Sequence, residues 1–132
     1  VPLFEASPDV SEVISQKTAR TMMDFFRSVT SEGTAARLRE LKHPLGGKTG
    51  TTNDFTDAWF IGFSPSVTCG VWVGYDDRQS LGDKQTGAAV ALPLWTSFMK
   101  AVIAATPNES FPGDTPSPSP SSLRQSAALA AH

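Results

Sequence analysis

The sequence has little of several features that would assign a protein to a class at once. It contains one cysteine, which excludes an internal disulfide and any CxxC metal site. Its basic residues are scattered and the formal net charge is −2, so no nucleic-acid partner is indicated. No apolar run approaches the ~20 residues of a membrane span, and no signal peptide is recognisable, so we expect no membrane segment in this chain. Cys69 lies in an apolar run and is interpreted as a structural thiol.

The last quarter of the chain differs in composition from the rest. From Thr106 onward Pro and Ser alternate, and few large apolar residues are present. Such a segment cannot bury enough apolar surface to offset its ordering entropy. We therefore predict one folded unit over residues 1–105 and a disordered tail over 106–132. Roughly 105 residues can build a small core but not a large one.

Three segments of the folded unit have a helical pattern. The first is predicted from a cap at Ser15 to about Ser28, and a short second helix is predicted after a cap at Thr34, ending at His43-Pro44. The third covers residues 88–105. The apolar positions expected to face the core are Ala19, Met22, Met23, Phe26 and Val29 in the first helix, Leu38 and Leu41 in the second, and Ala91, Leu94, Trp95, Phe98, Met99, Val102 and Ile103 in the third.

Three further segments, residues 45–52, 58–63 and 68–75, have strand character. Their connections are short enough for antiparallel hairpins, so a meander is predicted. The middle strand, "AWFIGF", is apolar without alternation, which is typical of a strand covered on both faces. The expected fold class is therefore α+β, an antiparallel sheet of three strands with helices on each side.

The stretch "GGKTGTT" at residues 46–52 suits either a phosphate-binding loop or a strand at an acyl-transfer site. A Walker-type loop needs a glycine where Lys42 stands, and it must lead into a helix. Here a strand pattern follows Lys48 instead. We therefore reject the phosphate loop and interpret the stretch as a K-T-G strand.

Longer motifs give this interpretation specificity. "GGKTGTTNDFTDAWFIGFSP", "GVWVGYDD" and "ALPLWTSFM" together resemble the C-terminal part of the transpeptidase domain of class A penicillin-binding proteins, from "VISQKTA" to Met99. The resemblance implies a partial domain of the β-lactamase/transpeptidase fold. It also implies peptidoglycan stem peptides ending in D-Ala-D-Ala as substrates, β-lactams as ligands, no cofactor or metal, and a location at the periplasmic face of the cytoplasmic membrane.

The same resemblance implies roles for individual residues. The backbone N–H of Thr51 would be one of two oxyanion-hole donors, and Lys48 would supply positive potential beside a second catalytic motif. The hydroxyls of Thr49 and Thr51 would bind the substrate carboxylate. Gly50 lets the strand edge approach the ligand closely, and Thr52 completes the expected substrate-binding stretch.

The family's nucleophile motif S-x-x-K and its S-x-N motif precede K-T-G in chain order, and neither is present upstream of Lys48. Ser97 and Lys100 spell S-x-x-K only after K-T-G, and we interpret that as a chance match. The resemblance implies that the full protein is a serine transpeptidase, with a glycosyltransferase domain far upstream. This chain alone is expected to be inactive, with the remainder of the transpeptidase domain as its partner.

Two alternatives stay open at the level of sequence. A fragment of a serine β-lactamase would need a deacylating base from outside this segment. A non-catalytic binding module would expose an apolar patch where the missing half of the domain docks. Asp54 and Asp57 are interpreted as turn residues and not as an acid–base pair.

Overall fold

The computed structural model describes residues 11–114, and its centre is a three-stranded sheet. Strand β1 is Gly46–Thr51, β2 is Asp57–Phe63 and β3 is Thr68–Gly74. All pairings are antiparallel in the order β1-β2-β3, with Gly50 opposite Trp59 and Trp59 opposite Trp72. The predicted meander is confirmed, and β1 is an edge strand among the described residues.

Helices flank the sheet on both sides. Helix α1 is Gln16–Ser31, and the Ser15 side chain accepts the N–H of Thr18 as predicted for its cap. A 3₁₀ helix follows at Ala36–Leu41. The π turn Gly87–Ala91 leads directly into helix α2, Leu92–Ala105.

The predicted cap at Thr34 is wrong. The 3₁₀ helix starts after Ala35 and has no side-chain cap. The reason lies in the end of α1, where the N–H of Gly33 donates to Ser28 O and the N–H of Ala35 donates to Val29 O. The segment around Thr34 therefore terminates α1 and does not begin the next helix.

One face of the sheet, here called the helix face, carries Ala58, Phe60 and Gly62 and packs against α2. The rings of Phe60 and Trp95 meet edge to face at 5.1 Å, and both side chains are fully buried. The Trp95 indole N–H donates to Cys69 O over 3.0 Å. Burial raises the pKa of the Cys69 thiol, in agreement with a structural thiol. The buried core cluster comprises Ala35, Leu38, Leu45, Phe60, Ala91, Leu92, Trp95 and Met99.

Helix α2 buries only part of its apolar surface. Trp95 and Met99 face the core as predicted, but Leu94 and Phe98 are exposed, because the apolar stripe of α2 is wider than the sheet that it covers. The whole helical stretch Gly87–Ala105 has 19 residues and a mean hydropathy of 1.6, sufficient in length and composition to cross a membrane. In this fold one side of it, with Trp95 and Met99, packs against the sheet.

Helix α1 covers one end of the opposite face of the sheet. Phe26 packs edge to face on Phe63, with ring centroids 5.9 Å apart. Ala19 and Met22 are exposed, contrary to the prediction that they face the core. The apolar stripe of α1 therefore contacts the sheet only over its last turns.

Beyond Phe63 this second face, here called the open face, has no cover among residues 11–114. Trp59, Ile61 and Trp72 are 43%, 50% and 41% exposed. The expectation that "AWFIGF" is covered on both faces is therefore wrong for the described part of the chain. The exposed apolar patch that the binding-module alternative predicted, where the missing half of the domain would dock, is present.

The start of the predicted disordered tail is packed. Phe111 is buried against Phe63, with ring centroids 5.8 Å apart, and Arg27 pairs with Asp114 at 2.9 Å. This packing up to Asp114 differs from the expected boundary at Thr106, because one large aromatic residue is enough to anchor the segment. The remainder of the predicted tail, residues 115–132, lies outside the described residues.

Candidate active-site strand

Strand β1 presents alternate backbone groups at its free edge. The N–H of Thr52 donates to Asp57 O, which fixes the phase of the antiparallel ladder. Residues of even number in β1 therefore bond to β2, whereas the N–H and C=O groups of Gly47, Thr49 and Thr51 point away from it. Thr51, the predicted oxyanion-hole residue, thus directs its N–H outward at the sheet edge.

Lys48 lies on the open face, opposite Ile61 in the β1–β2 register. Its side chain is exposed, and Nζ donates to Thr49 O over 2.7 Å. This carbonyl is one of the groups that point away from β2. The ammonium group is therefore held at the free edge of the strand.

Thr49 and Thr51 project to the helix face, since side chains alternate along a strand. The Thr51 hydroxyl accepts the N–H of Gly87 over 3.1 Å. A Cβ at Gly87 would lie 2.1 Å from Trp59 O, so only glycine permits the π turn to approach β1 and β2 this closely. The hydroxyl proton of Thr51 is not used in this contact.

Gly50 lies between Lys48 and the end of the strand, on the open face. A Cβ there would lie 3.3 Å from the Trp59 Cβ across the strand pair. Because Gly50 has no side chain, this part of the strand edge does not protrude beside the Trp59 ring.

The predicted substrate-binding residue Thr52 organises the turn after β1. Its hydroxyl accepts the N–H groups of Thr56 and Asp57, each over 3.0 Å. The following loop packs on this turn, because the N–H of Leu81 donates to Phe55 O over 2.8 Å. The Thr52 side chain thus shapes the end of the strand.

Asp57 is committed to the same turn. The Trp72 indole N–H donates to Oδ1 over 2.9 Å and the Thr56 hydroxyl donates to Oδ2 over 2.8 Å. These two hydrogen bonds, in that order, hold the pKa of Asp57 below its usual value, with a smaller contribution from the charge of Arg78. The structure therefore supports a turn role for Asp57.

Ser97 and Lys100 lie on α2, away from β1. The Ser97 hydroxyl is exposed and donates to Pro93 O one helical turn earlier, over 3.1 Å. This bond to its own helix is consistent with a chance S-x-x-K match. Among residues 11–114, no three His, Cys, Asp or Glu side chains are grouped to hold a metal ion.

One buried polar pair near β1 was not predicted from the sequence, in which His43-Pro44 marked only the end of the second helix. His43 Nε2 donates to Glu109 Oε1 over 2.7 Å, and the two side chains are 3% and 13% exposed. Burial alone would raise the pKa of Glu109, but hydrogen bonds with Ser66, His43 and Ser64 lower it to about 2. A histidine and a glutamate 66 residues apart give no local sequence signal for such a pair.

The antiparallel sheet, its K-T-G edge strand and the flanking helices define a transpeptidase-type domain, and sequence comparison agrees. The chain belongs to the penicillin-binding protein transpeptidase domain family, whose model matches residues 4–100.

Several relatives within that family are penicillin-binding proteins 1A. The chain is 50% identical to penicillin-binding protein 1A of Aquifex aeolicus over 109 residues, or 83% of this chain and 15% of the relative. It is 41% identical to that of Pseudomonas aeruginosa over 97 residues, or 73% of this chain and 12% of the relative. The crystal structure of penicillin-binding protein 1A from Haemophilus influenzae superposes with a TM-score of 0.70 at 30% identity, covering 80% of this chain and 17% of that one. The chain thus spans about a sixth or less of these proteins.

Proposed function

We propose that this chain forms the K-T-G wall of a peptidoglycan D,D-transpeptidase cleft at the periplasmic face of the cytoplasmic membrane. The substrate would be a stem peptide ending in D-Ala-D-Ala, attacked by a serine to give an acyl-enzyme, and β-lactams would occupy the same cleft. The observation that carries the proposal is the outward N–H of Thr51 at the free edge of a family-matched K-T-G strand.

The free edge of β1 suits an extended ligand. A peptide can add to such an edge through main-chain hydrogen bonds with the outward groups of Thr49 and Thr51. The N–H of Thr51 would then donate to the carbonyl oxygen as negative charge develops on it. One preorganised donor of this kind contributes on the order of 3 kcal/mol to the transition state.

Side chains around the same edge would recognise the terminal carboxylate. Lys48 places its ammonium group at the edge, where it supplies positive potential. The Thr51 hydroxyl accepts from Gly87 and keeps its own proton to donate to a carboxylate. The Thr49 side chain projects from the same face of the strand as the Thr51 side chain. Gly50 lies between these two threonines and Thr52 follows them, and both shape the surface of the strand there.

The nucleophile would come from the remainder of the transpeptidase domain, which we propose as the partner of this chain. The open face supports this docking, because Trp59, Ile61 and Trp72 form an apolar surface next to Lys48. Apolar surface of this kind marks an interaction site. In the absence of S-x-x-K upstream of Lys48, the isolated chain would not form an acyl-enzyme.

A chimera tests the active-site role. The segment of Aquifex aeolicus penicillin-binding protein 1A that aligns with this chain is replaced by this chain, and acylation by a fluorescent penicillin is measured. We expect acylation by the chimera and a loss of roughly tenfold or more in Lys48→Ala. Lys84→Ala, which removes an exposed lysine outside β1, serves as the matched control. A chimera whose acylation is indifferent to Lys48 contradicts the proposal.

The isolated chain tests the incomplete site. After incubation with the same penicillin, intact mass spectrometry is expected to show no adduct. A stoichiometric adduct on any serine of this chain would overturn the proposal that the nucleophile lies elsewhere.

A further inference from the structure

Residues 107–114, here called the clasp, return from the end of α2 across the sheet and α1. The Phe111 ring packs on Phe63, and the Arg27 guanidinium lies 5.4 Å from the centre of the Phe111 ring. Asp114 pairs with the same arginine at 2.9 Å. Glu109, in the middle of the segment, reaches His43. The clasp is therefore held by one aromatic anchor, the Arg27–Asp114 ion pair and the His43–Glu109 hydrogen bond.

These contacts converge on the start of β1. His43 lies five residues before Lys48, and Phe63 is the register partner of Gly46, the first residue of the strand. Between them, the Leu45 carbonyl accepts the Thr30 hydroxyl over 2.8 Å. The chain therefore enters β1 through a site made by the clasp, α1 and the end of β2.

The His43–Glu109 pair differs from a solvated surface pair. Both side chains are largely buried, so the geometry of the hydrogen bond between them is fixed by its surroundings. Ser64 and Ser66 in the β2–β3 turn also lower the pKa of Glu109. The hydrogen bond from His43 ties Glu109 to the backbone that leads into the K-T-G strand.

Among residues 11–114, strand β1 bonds to a neighbouring strand on one side only, so its position depends on how its ends are held. The Thr51 end is tied to Gly87, and the Gly46 end is tied through His43 and Leu45. A strand is stiff along its length, so a shift at one end displaces the groups that it presents. A displacement near 1 Å at reacting groups can lower a rate by about 100-fold.

We propose that Glu109 is a positioning residue for the transpeptidase reaction, which acts through His43 to set the placement of β1 and hence of Lys48 and the Thr51 N–H. The inference rests on the proposed function, because it concerns the same strand. It assigns to the segment after α2 a part in building the cleft.

Acylation kinetics in the chimera test the placement. We expect Glu109→Ala to lower the maximal acylation rate about tenfold or more, with the concentration for half-maximal rate changed by less than about threefold. Glu109→Gln keeps the shape and an acceptor for His43, so a smaller loss is expected. Glu40→Gln, an exposed carboxylate three residues before His43, is the charge-matched control. Glu109→Ala with an unchanged maximal rate overturns the proposal.

Hydrogen exchange in the 132-residue chain provides the second measurement. We expect Glu109→Ala to accelerate exchange of the Gly46 and Lys48 amides, which bond to β2, by roughly tenfold while Trp95 on α2 exchanges as before. Equal acceleration throughout the chain, or none in β1, means that the clasp does not position the strand. If the unmodified chimera fails to acylate, the proposed function fails, and hydrogen exchange alone then decides whether the clasp holds β1.

Discussion

Neighbouring side chains on β2 experience opposite environments on the two faces of the sheet. On the helix face, Phe60 lies beneath Trp95 and is fully buried. On the open face, Trp59 and Ile61 are about half exposed. The uninterrupted apolar run of β2 therefore matches a sheet that is covered twice, and residues 11–114 supply only one complete cover. The difference indicates which surface is built by this chain alone and which needs a partner.

The largest expected difference in stability is between two variants that each replace one tryptophan by alanine, on opposite sides of the sheet. Trp95→Ala should lower the free energy of unfolding by about 3–5 kcal/mol, because it empties the centre of the core. Trp59→Ala should cost less than about 1 kcal/mol in the isolated chain, since its ring is half exposed already. Urea denaturation followed by circular dichroism measures both.

The chimera sharpens this first comparison. There the open face would be covered, so Trp59→Ala should become clearly more destabilising than in the isolated chain. Equal costs for Trp59→Ala in the two proteins would show that the open face meets no partner.

Replacing a glycine by alanine adds a single methyl group, which tests how tightly each face of the sheet is packed. A Cβ at Gly62 would lie 2.7 Å from atoms of Phe60 and Trp95, so Gly62→Ala should destabilise the chain by about 1–3 kcal/mol. At Gly70, on the open face, the nearest atom would be 3.6 Å away, and Gly70→Ala should be within about 0.5 kcal/mol of neutral. Thermal denaturation of the two variants measures both stability costs. A comparable cost at both positions would contradict the assignment of the faces.

The clasp covers the Phe63 end of the open face, and Glu109 helps to hold it there. Low pH should therefore loosen the clasp and expose more of that end. The pKa of Glu109 in the folded chain, about 2, lies below its ordinary value of 4.5. Its stabilising contribution is therefore fully present above pH 4.5 and is lost as the pH falls toward 2. We expect the protection factors of the amides in residues 107–114, corrected for the intrinsic pH dependence of exchange, to fall over this range. In Glu109→Gln this fall should be missing, and an unchanged profile in that variant would assign the transition to another group.

The smallest expected effect is the pH dependence of the hydrogen bond between Asp57 and Trp72 on the open face. The pKa of Asp57 is lowered from 3.8 by the Trp72 indole and the Thr56 hydroxyl, so this contribution is present above pH 3.8 and disappears below it. The indole N–H resonance of Trp72 should titrate with a midpoint below 3.8 and should lose this transition in Asp57→Asn. A midpoint at or above 3.8 would show that the hydrogen bond does not favour the carboxylate.

Local patterns predicted the sheet and the edge strand well. Short connections and apolar strands specified the meander, and the residues around Lys48 specified both the type of strand and its family. The exposed patch also followed from sequence, since "AWFIGF" has more apolar surface than the predicted helices could cover. These features depend on neighbours in the chain, which a sequence displays directly.

Features that depend on distant neighbours were not predictable. The partner of His43 lies in a Pro/Ser-rich segment in which Phe111 gave too weak a hydrophobic signal to indicate packing. Helical periodicity likewise placed Leu94 and Phe98 in the core, because it reveals an apolar stripe but not the width of the surface that meets it. Both errors arise from tertiary contacts that local patterns do not encode.

The hydrogen bond between Gly87 and the Thr51 hydroxyl joins residues that are 36 positions apart. Strand β1 therefore cannot move outward at this end without pulling on the first turn of the helical stretch that leads into α2. Because that helix is anchored in the core by Trp95, this end of β1 is tied to the core and does not depend only on the loop at residues 75–86. Evolution or engineering could therefore lengthen or shorten that loop while the Thr51 end of the strand stays in place.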